Sequence, residues 1–171
     1  MAEKKDAIPE NIQKLPEDII NLLRDLARNS DEELRKRAAG IIPAHADKLP
    51  KDFINLIRNL STDRSIIVRK DLAEGLLKNV ENLPDDLIEV VKKLAKDADV
   101  GVRIELAEDM LKNAEKLPQE IINVMRDLIK DRDVKVGKEF AEKVVKEVVK
   151  LPGDIISGIL KNLSTEKTEE K

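Results

Sequence analysis

Cysteine, tryptophan and tyrosine are absent from this chain, and histidine occurs once, at His45. Without cysteine there is no disulfide framework, no thiolate nucleophile and no thiol-ligated zinc, a usage that fits a reducing compartment and leads to the expectation of a cytoplasmic protein. Phe53 and Phe140 are the whole aromatic complement, so single-stranded nucleic acid held on stacked rings lacks its usual material. A lone His45 has neither a cysteine nor a second imidazole to complete a metal site, and the few serines and threonines lie in turns without a histidine to activate them. No metal, no cofactor and no enzymatic activity are expected.

Long apolar runs are missing too. No segment approaches the roughly 20 apolar residues that cross a bilayer, and the opening MAEKKDAIPE contains no signal-peptide core. Nor is one sign of charge in excess: 32 basic and 35 acidic residues leave a formal net charge of −3 on a chain that is 39% charged, so the two signs interleave. That balance argues against a surface dedicated to membrane or nucleic acid.

What the chain does contain is a period. Leu-Pro recurs at 15–16, 49–50, 83–84, 117–118 and 151–152, a constant spacing of 34 residues, and the most regular copy runs from Leu83 to Lys116. Self-similarity at roughly 20–50 residues marks a stacked-repeat architecture. Each unit reads as two helices. Proline and then an acid (Asp18, Asp52, Asp86, Glu120, Asp154) open the first, with proline expected inside the first turn and the acid complementing the helix dipole. In the third unit Leu87, Ile88, Val90, Val91 and Leu94 follow at helical spacing and predict a largely buried helix.

A polar turn comes next, and Asp31, Ser65, Asp99 and Asp133 stand where the second helix needs an N-cap. That helix carries one apolar face, in the third unit Val102, Leu106, Ala107, Met110, Leu111 and Ala114. Ala39, Ala73, Ala107 and Ala141 share one slot, which predicts a close approach of helices.

The run from Asp99 to Glu108, with its Val-Arg and Leu-Ala-Glu, and its variant from Ser65 to Glu74, resemble the second-helix signature of HEAT and armadillo repeats. The resemblance covers residues 15 to about 163. Tetratricopeptide repeats share the period but want Trp and Tyr, which are absent here. The HEAT resemblance implies an Asp–Arg ladder along the turns, for which the matching residues are Asp31/Arg35, Ser65/Arg69 and Asp99/Arg103. Gly137 stands where the fourth unit would carry its arginine. HEAT-like enzymes that hold iron through His-Glu pairs, and HEAT-like DNA glycosylases with aromatic concave faces, find no matching residues in this sequence.

The units differ in regularity. Ile8 and Ile12 fall in register with late apolar slots of a second helix and read as a half-unit covering the first repeat. Gly40 and Pro43 interrupt the second helix of the first unit, and a break near Ile42 is expected. Ile66 and Ile67 open the second helix of the second unit beyond its core pattern. Lys143, Lys146 and Lys150 in the fourth unit are interleaved with Glu139, Glu142 and Glu147, which reads as a solvated face.

The expected fold is therefore all-α, a right-handed α-solenoid (α-α superhelix) of about four HEAT-like helical hairpins with half-repeat caps. Residues 1–163 form one domain, made of units 15–48, 49–82, 83–116 and 117–150 and a C-terminal half-unit 151–163; the tail 164–171 is expected to be disordered. The resemblance implies a non-enzymatic scaffold that binds a protein or peptide partner on the concave face of its second helices. Position nominates Arg37, Ile67, Lys70, Glu74, Ile104, Glu108, Lys138 and Glu142 as contact residues. Two alternatives stay open: an engineered or self-associating structural repeat protein without a dedicated ligand, which the strict phasing favours, and a weak nucleic-acid-associated protein.

Overall fold

The computed structural model describes residues 15–129 together with Gly153, Ile156 and Ser157. Among these residues all regular structure is helical: α1 (Glu17–Ala27), α2 (Glu32–Ile41), α3 (Phe53–Leu60), α4 (Ile66–Leu77), α5 (Asp85–Leu94), α6 (Val100–Lys112) and α7 (Gln119–Ile129). Short 3-10 turns occupy Pro43–Lys48, Val80–Asn82 and Ala114–Lys116. Gly153, Ile156 and Ser157 are helical as well, and Ile156 is half-buried against the core. Outside the described residues lie Ile8 and Ile12, the Asp133 cap, Gly137, Phe140, Ala141, the lysine-rich face of the fourth unit, most of the half-unit 151–163 and the 164–171 tail.

Two kinds of helix start recur, and α3 follows neither: Asp52 stands at its N-cap without a side-chain cap bond, so the expected acid falls outside the first turn. α1 and α5 follow Pro16 (φ −54°, ψ 144°) and Pro84 (φ −59°, ψ 147°), which stand at the N-cap. The proline is thus one position outside the first turn where it was expected. Its ring suits the extended backbone, while its carbonyl receives the first helical bonds: Ile19 and Ile20 donate to Pro16 at 3.0 and 3.1 Å, and Leu87 and Ile88 to Pro84 at 2.8 and 3.1 Å. No side chain caps these two helices, and Glu17, Asp18, Asp85 and Asp86 place negative charge at their dipole ends.

The second helices are capped by side chains, as their sequence predicts. Asp31 accepts from the N–H of Glu33 and Leu34 at 2.8 and 3.4 Å, Ser65 from Val68 at 3.4 Å, and Asp99 from Gly101 and Val102 at 2.8 and 3.2 Å.

Helical periodicity then sorts the side chains. Leu87, Ile88, Val90, Val91 and Leu94 of α5 are all buried, as are Val102, Leu106, Ala107, Met110 and Leu111 of α6. Full burial of one such aliphatic side chain is worth about 2 kcal/mol, and these residues join one continuous core with Phe53, Ile57, Leu72, Leu76, Ile121 and Met125. Two layers result. α1, α3, α5 and α7 follow one another in the first, α2, α4 and α6 in the second, and α1 pairs with α2, α3 with α4 and α5 with α6 across them.

The break expected near Ile42 is present. α2 ends at Ile41, and the following 3-10 turn has a non-helical residue at His45 (φ −123°, ψ 19°). Proline is not its only cause, because Val80–Asn82 and Ala114–Lys116 follow α4 and α6 without one. Pro43 instead ends the helix sooner: α2 has 10 residues against 12 in α4 and 13 in α6.

Ala39, Ala73 and Ala107 are buried to 0–1% exposure, as their shared slot predicts. A contact too close for any side chain, however, is made by Gly75. A Cβ built on it would lie 2.7 Å from the Ala39 carbonyl oxygen and 3.0 Å from that of Gly40, so α4 approaches the backbone of α2 where only hydrogen fits. Gly40 has more room, its nearest neighbour being the Asp71 carbonyl at 4.0 Å. Gly75→Ala should therefore lower stability by about 1–3 kcal/mol through overpacking. Gly40→Ala should raise it by up to about 1 kcal/mol through helix propensity. Urea unfolding of both variants checks the opposite signs, and equal shifts would contradict the contact.

Candidate binding surface

Arginines tie each hairpin to the next. Arg35 Nε donates to Asp63 Oδ2 at 2.6 Å and its Nη2 to Oδ1 at 3.0 Å, while its Nη1 serves the carbonyls of Asn29 and Ser30 in its own turn. Arg69 repeats the arrangement one unit on, with Asp97 at 2.7 and 3.0 Å and the Asp63 carbonyl at 2.7 Å. Arg103 Nη1 likewise donates to the Asp97 carbonyl at 2.7 Å. Each fork links residues 28 apart in sequence, and both pairs are nearly withdrawn from solvent.

This corrects the acidic side of the expected ladder. The arginines are the expected ones, but Asp31, Ser65 and Asp99 are occupied by the N–H groups of their own helices. The carboxylates that receive the arginines are Asp63 and Asp97, two residues before a cap. Each also accepts a backbone bond within its turn, from the N–H of Ser65 or Asp99 at 2.9 Å. Asp63 and Asp97 recur one period apart, each two positions ahead of a cap, and that repetition is the signal the sequence offers.

Burial works against charge on Asp63 and Asp97, yet the arginine fork and the backbone N–H together hold both carboxyls below the usual carboxylate range. A second, exposed series joins the first helices, Arg24 to Asp52 at 3.2 Å and Arg58 to Asp86, with the Arg24 guanidinium 5.2 Å from the centre of the Phe53 ring. A shallow depression of about 320 Å³ lies beside the inner series, lined by Thr62, Lys93 and Lys96 with Asp63, Arg69 and Asp97, and the last three are committed to the forks.

Six of the nominated contact residues lie on the second-layer helices α2, α4 and α6. Arg37 is exposed and within 3.8 Å of Glu33 on its own helix. Ile67 is 48% exposed, and its neighbour Ile66 is exposed with it. Lys70 reaches across from α4 to Glu105 of α6 at 3.0 Å, and Glu74 pairs with Lys78 at 3.0 Å. Ile104 and Glu108 are half-buried on α6. Lys138 and Glu142 lie outside the described residues. Lys70 is therefore joined to a neighbouring helix through Glu105, a residue the pattern had not nominated. His45 is exposed at its kink, and among the described residues no three His, Cys, Asp or Glu side chains converge to hold a metal.

Asp109 is a further buried acid that no repeated pattern marks. It is 2% exposed; Oδ1 accepts from Lys112 Nζ at 2.6 Å, and Oδ2 has no hydrogen-bond partner among the described residues. Burial pushes its carboxyl up, Lys112 opposes the rise, and Glu105 and Glu74 add to it. Asp71 is raised as well, first by burial, against Lys36 and with Glu74, Glu33 and Glu105 adding. The α2–α4–α6 surface is thus crowded with carboxylates. Its non-repeating part was illegible because the slot of Asp109 holds Gly75 one unit earlier.

Arg69→Met should cost about 3 kcal/mol, since it strands a buried carboxylate, whereas Arg58→Met on the exposed series should cost no more than about 1 kcal/mol. Chemical denaturation separates the two. The pH dependence carries opposite signs. The stability from Asp97, whose folded pKa is depressed, is full above the ordinary carboxylate value of about 4 and is lost as pH falls through the folded value. The contribution of Asp109, whose folded pKa is raised, is full below about 4 and lost as pH rises through the folded value. The advantage of the wild type over Asp97→Asn should therefore grow with pH, and that over Asp109→Asn should shrink. Denaturant midpoints between pH 2 and pH 7 report both slopes, and parallel slopes would contradict the assignment.

Comparison of the chain with known protein families finds no family that matches, and comparison with characterised proteins finds no match either, so the functional reading rests on the chain's own residues.

Proposed function

We propose that this chain is a right-handed α-solenoid of HEAT/armadillo type, a non-enzymatic scaffold that holds a protein or peptide partner on a concave face of its second helices. Two features support the architecture. The principal helix contacts join neighbours in a two-layer series, and the arginine fork recurs at a fixed sequence offset. The observation that carries the binding reading is the composition of the α2–α4–α6 surface. Exposed Ile67 and half-buried Ile104 lie on helices that also carry Arg37, Lys70, Glu74 and Glu108, a mixture of apolar and two-signed polar groups suited to a polypeptide. Balanced charge and the scarcity of aromatic rings set a nucleic-acid role behind it. The proposed setting is the cytoplasm, in keeping with a cysteine-free chain.

The test is affinity capture from a lysate of the source cells, with and without nuclease, beside the double variant Ile67→Asp, Glu74→Lys. Both positions are exposed, so helicity and melting temperature should stay close to wild type. A protein that survives nuclease and binds the variant at least about tenfold more weakly supports the reading. Equal capture by both chains, or capture that nuclease abolishes, removes it.

A further inference from the structure

The first helix leaves open a face that every later first-layer helix closes. Ile19 and Leu22 on α1 are 42% and 52% exposed. Their counterparts one period on, Phe53 and Leu56 on α3, are 1% and 4% exposed, and the corresponding pairs on α5 and α7 are no more than 5% exposed. The cover in each case is the preceding first-layer helix: α1 lies against α3, α3 against α5 and α5 against α7. Among the described residues α1 has no first-layer helix before it.

The structure shows twice what such a cover brings with it. Arg24 of α1 pairs with Asp52 at 3.2 Å and lies 5.2 Å from the centre of the Phe53 ring, and Arg58 of α3 pairs with Asp86 of α5. Each arginine meets an acid at the start of the next first-layer helix, beside the apolar residues of that helix. Asp18 holds the same slot on α1: it stands one period before Asp52, adjoins Ile19 as Asp52 adjoins Phe53, and is exposed. The open face thus carries both halves of the recurring contact, an apolar patch and a carboxylate beside it. What fits it is a helix with an aliphatic stripe and an arginine.

The chain's own residue types do not supply that arginine. Down the sequence its slot reads Arg24, Arg58, Lys92, Arg126 and Leu160, so a second copy stacked end to end would present leucine, and residues 1–14 contain no arginine. Arg24 and Arg58 are already committed within their own stack.

We propose that the open face of α1 docks an amphipathic helix of a partner polypeptide, its aliphatic stripe over Ile19 and Leu22 and its arginine on Asp18. Docked in this way the helix extends the first layer by one member, and the arginine's stem covers Ile19 as Arg24 covers Phe53. The site belongs to the first layer and is independent of whether the second-layer surface binds a partner.

The probe is a fluorescently labelled, end-blocked peptide of residues 16–28, the helix that makes this contact on α3, titrated into the full-length chain and followed by anisotropy. Saturable binding below about 1 mM is expected. Leu22→Asp in the chain should weaken it at least about tenfold, because a charge then lies under the stripe. Exchange of the peptide with α1 itself would be favoured by that substitution, so the direction of the change separates the two. Asp18→Arg should weaken binding about fivefold, and a peptide carrying Arg24→Asp should bind the Asp18→Arg chain as well as the original pair bind each other. Positions 18 and 22 are exposed, so circular dichroism should show both variants folded. Should Leu22→Asp lose helicity, Leu22→Ala replaces it and a weakening is still required. No saturable binding, binding that Leu22→Asp leaves unchanged, or a charge swap that restores nothing each overturns the proposal. In the first case, sedimentation as a dimer that Leu22→Asp dissolves assigns the face to a second copy, and sedimentation as a monomer shows it closed to a helix from outside.

Discussion

The arrangement of successive hairpins depends on one hydrogen-bonded fork, the guanidinium of Arg35 or Arg69 on the carboxylate of Asp63 or Asp97. Hydrophobic burial holds the layers together, but aliphatic faces such as those of α3 and α5 tolerate sliding. A bidentate Arg–carboxylate pair does not, because both N–H···O bonds form at one offset only. The same arginine also binds carbonyls of its own turn, so its head is held from both hairpins at once. Buried ion pairs are poor contributors to net stability and good markers of register. Here the register is the step from one hairpin to the next.

That step uses two polar positions of the turn for different ends. The cap, Asp31, Ser65 or Asp99, serves backbone N–H groups of its own second helix, and serine does this as well as aspartate. The earlier Asp63 or Asp97 serves the preceding unit's arginine, which needs two charged oxygens. Substitution follows the chemistry: the cap varies between Asp and Ser, while the two described carboxylates that receive arginines are both Asp.

Much of the fold was legible in the residues and less of the surface. Leu-Pro with an acid, helical apolar spacing and polar caps each encode a local decision that a short window contains, and the helices from α1 to α7 follow from them. The arginines of the ladder were legible for the same reason. Their partners were not, because a pairing across 28 residues depends on where two turns meet in space. Gly75 and Asp109 occupy the same slot in successive units with opposite demands, one excluding a side chain and the other burying a charged one. A rule taken from repetition cannot describe a slot that does not repeat.

The second layer is where such departures accumulate, and there is a physical reason. α4 lies between α2 and α6 and also touches α3 and α5, so Val68, Leu72, Ala73, Gly75, Leu76 and Leu77 are all buried and only a narrow strip stays open. Residues on that strip are constrained by neither core nor ladder. On the proposed reading, a partner there meets apolar Ile67 near carboxylates, Asp71 and Glu74 on the same helix, with Asp71 already pushed toward protonation by burial. Such a surface rewards a cation carried on an apolar stem more than a ring or an anion, because the stem covers the isoleucine while the charge relieves the carboxylates. Lysine and arginine side chains have that form, which favours a basic segment of polypeptide as the partner over a phosphate backbone.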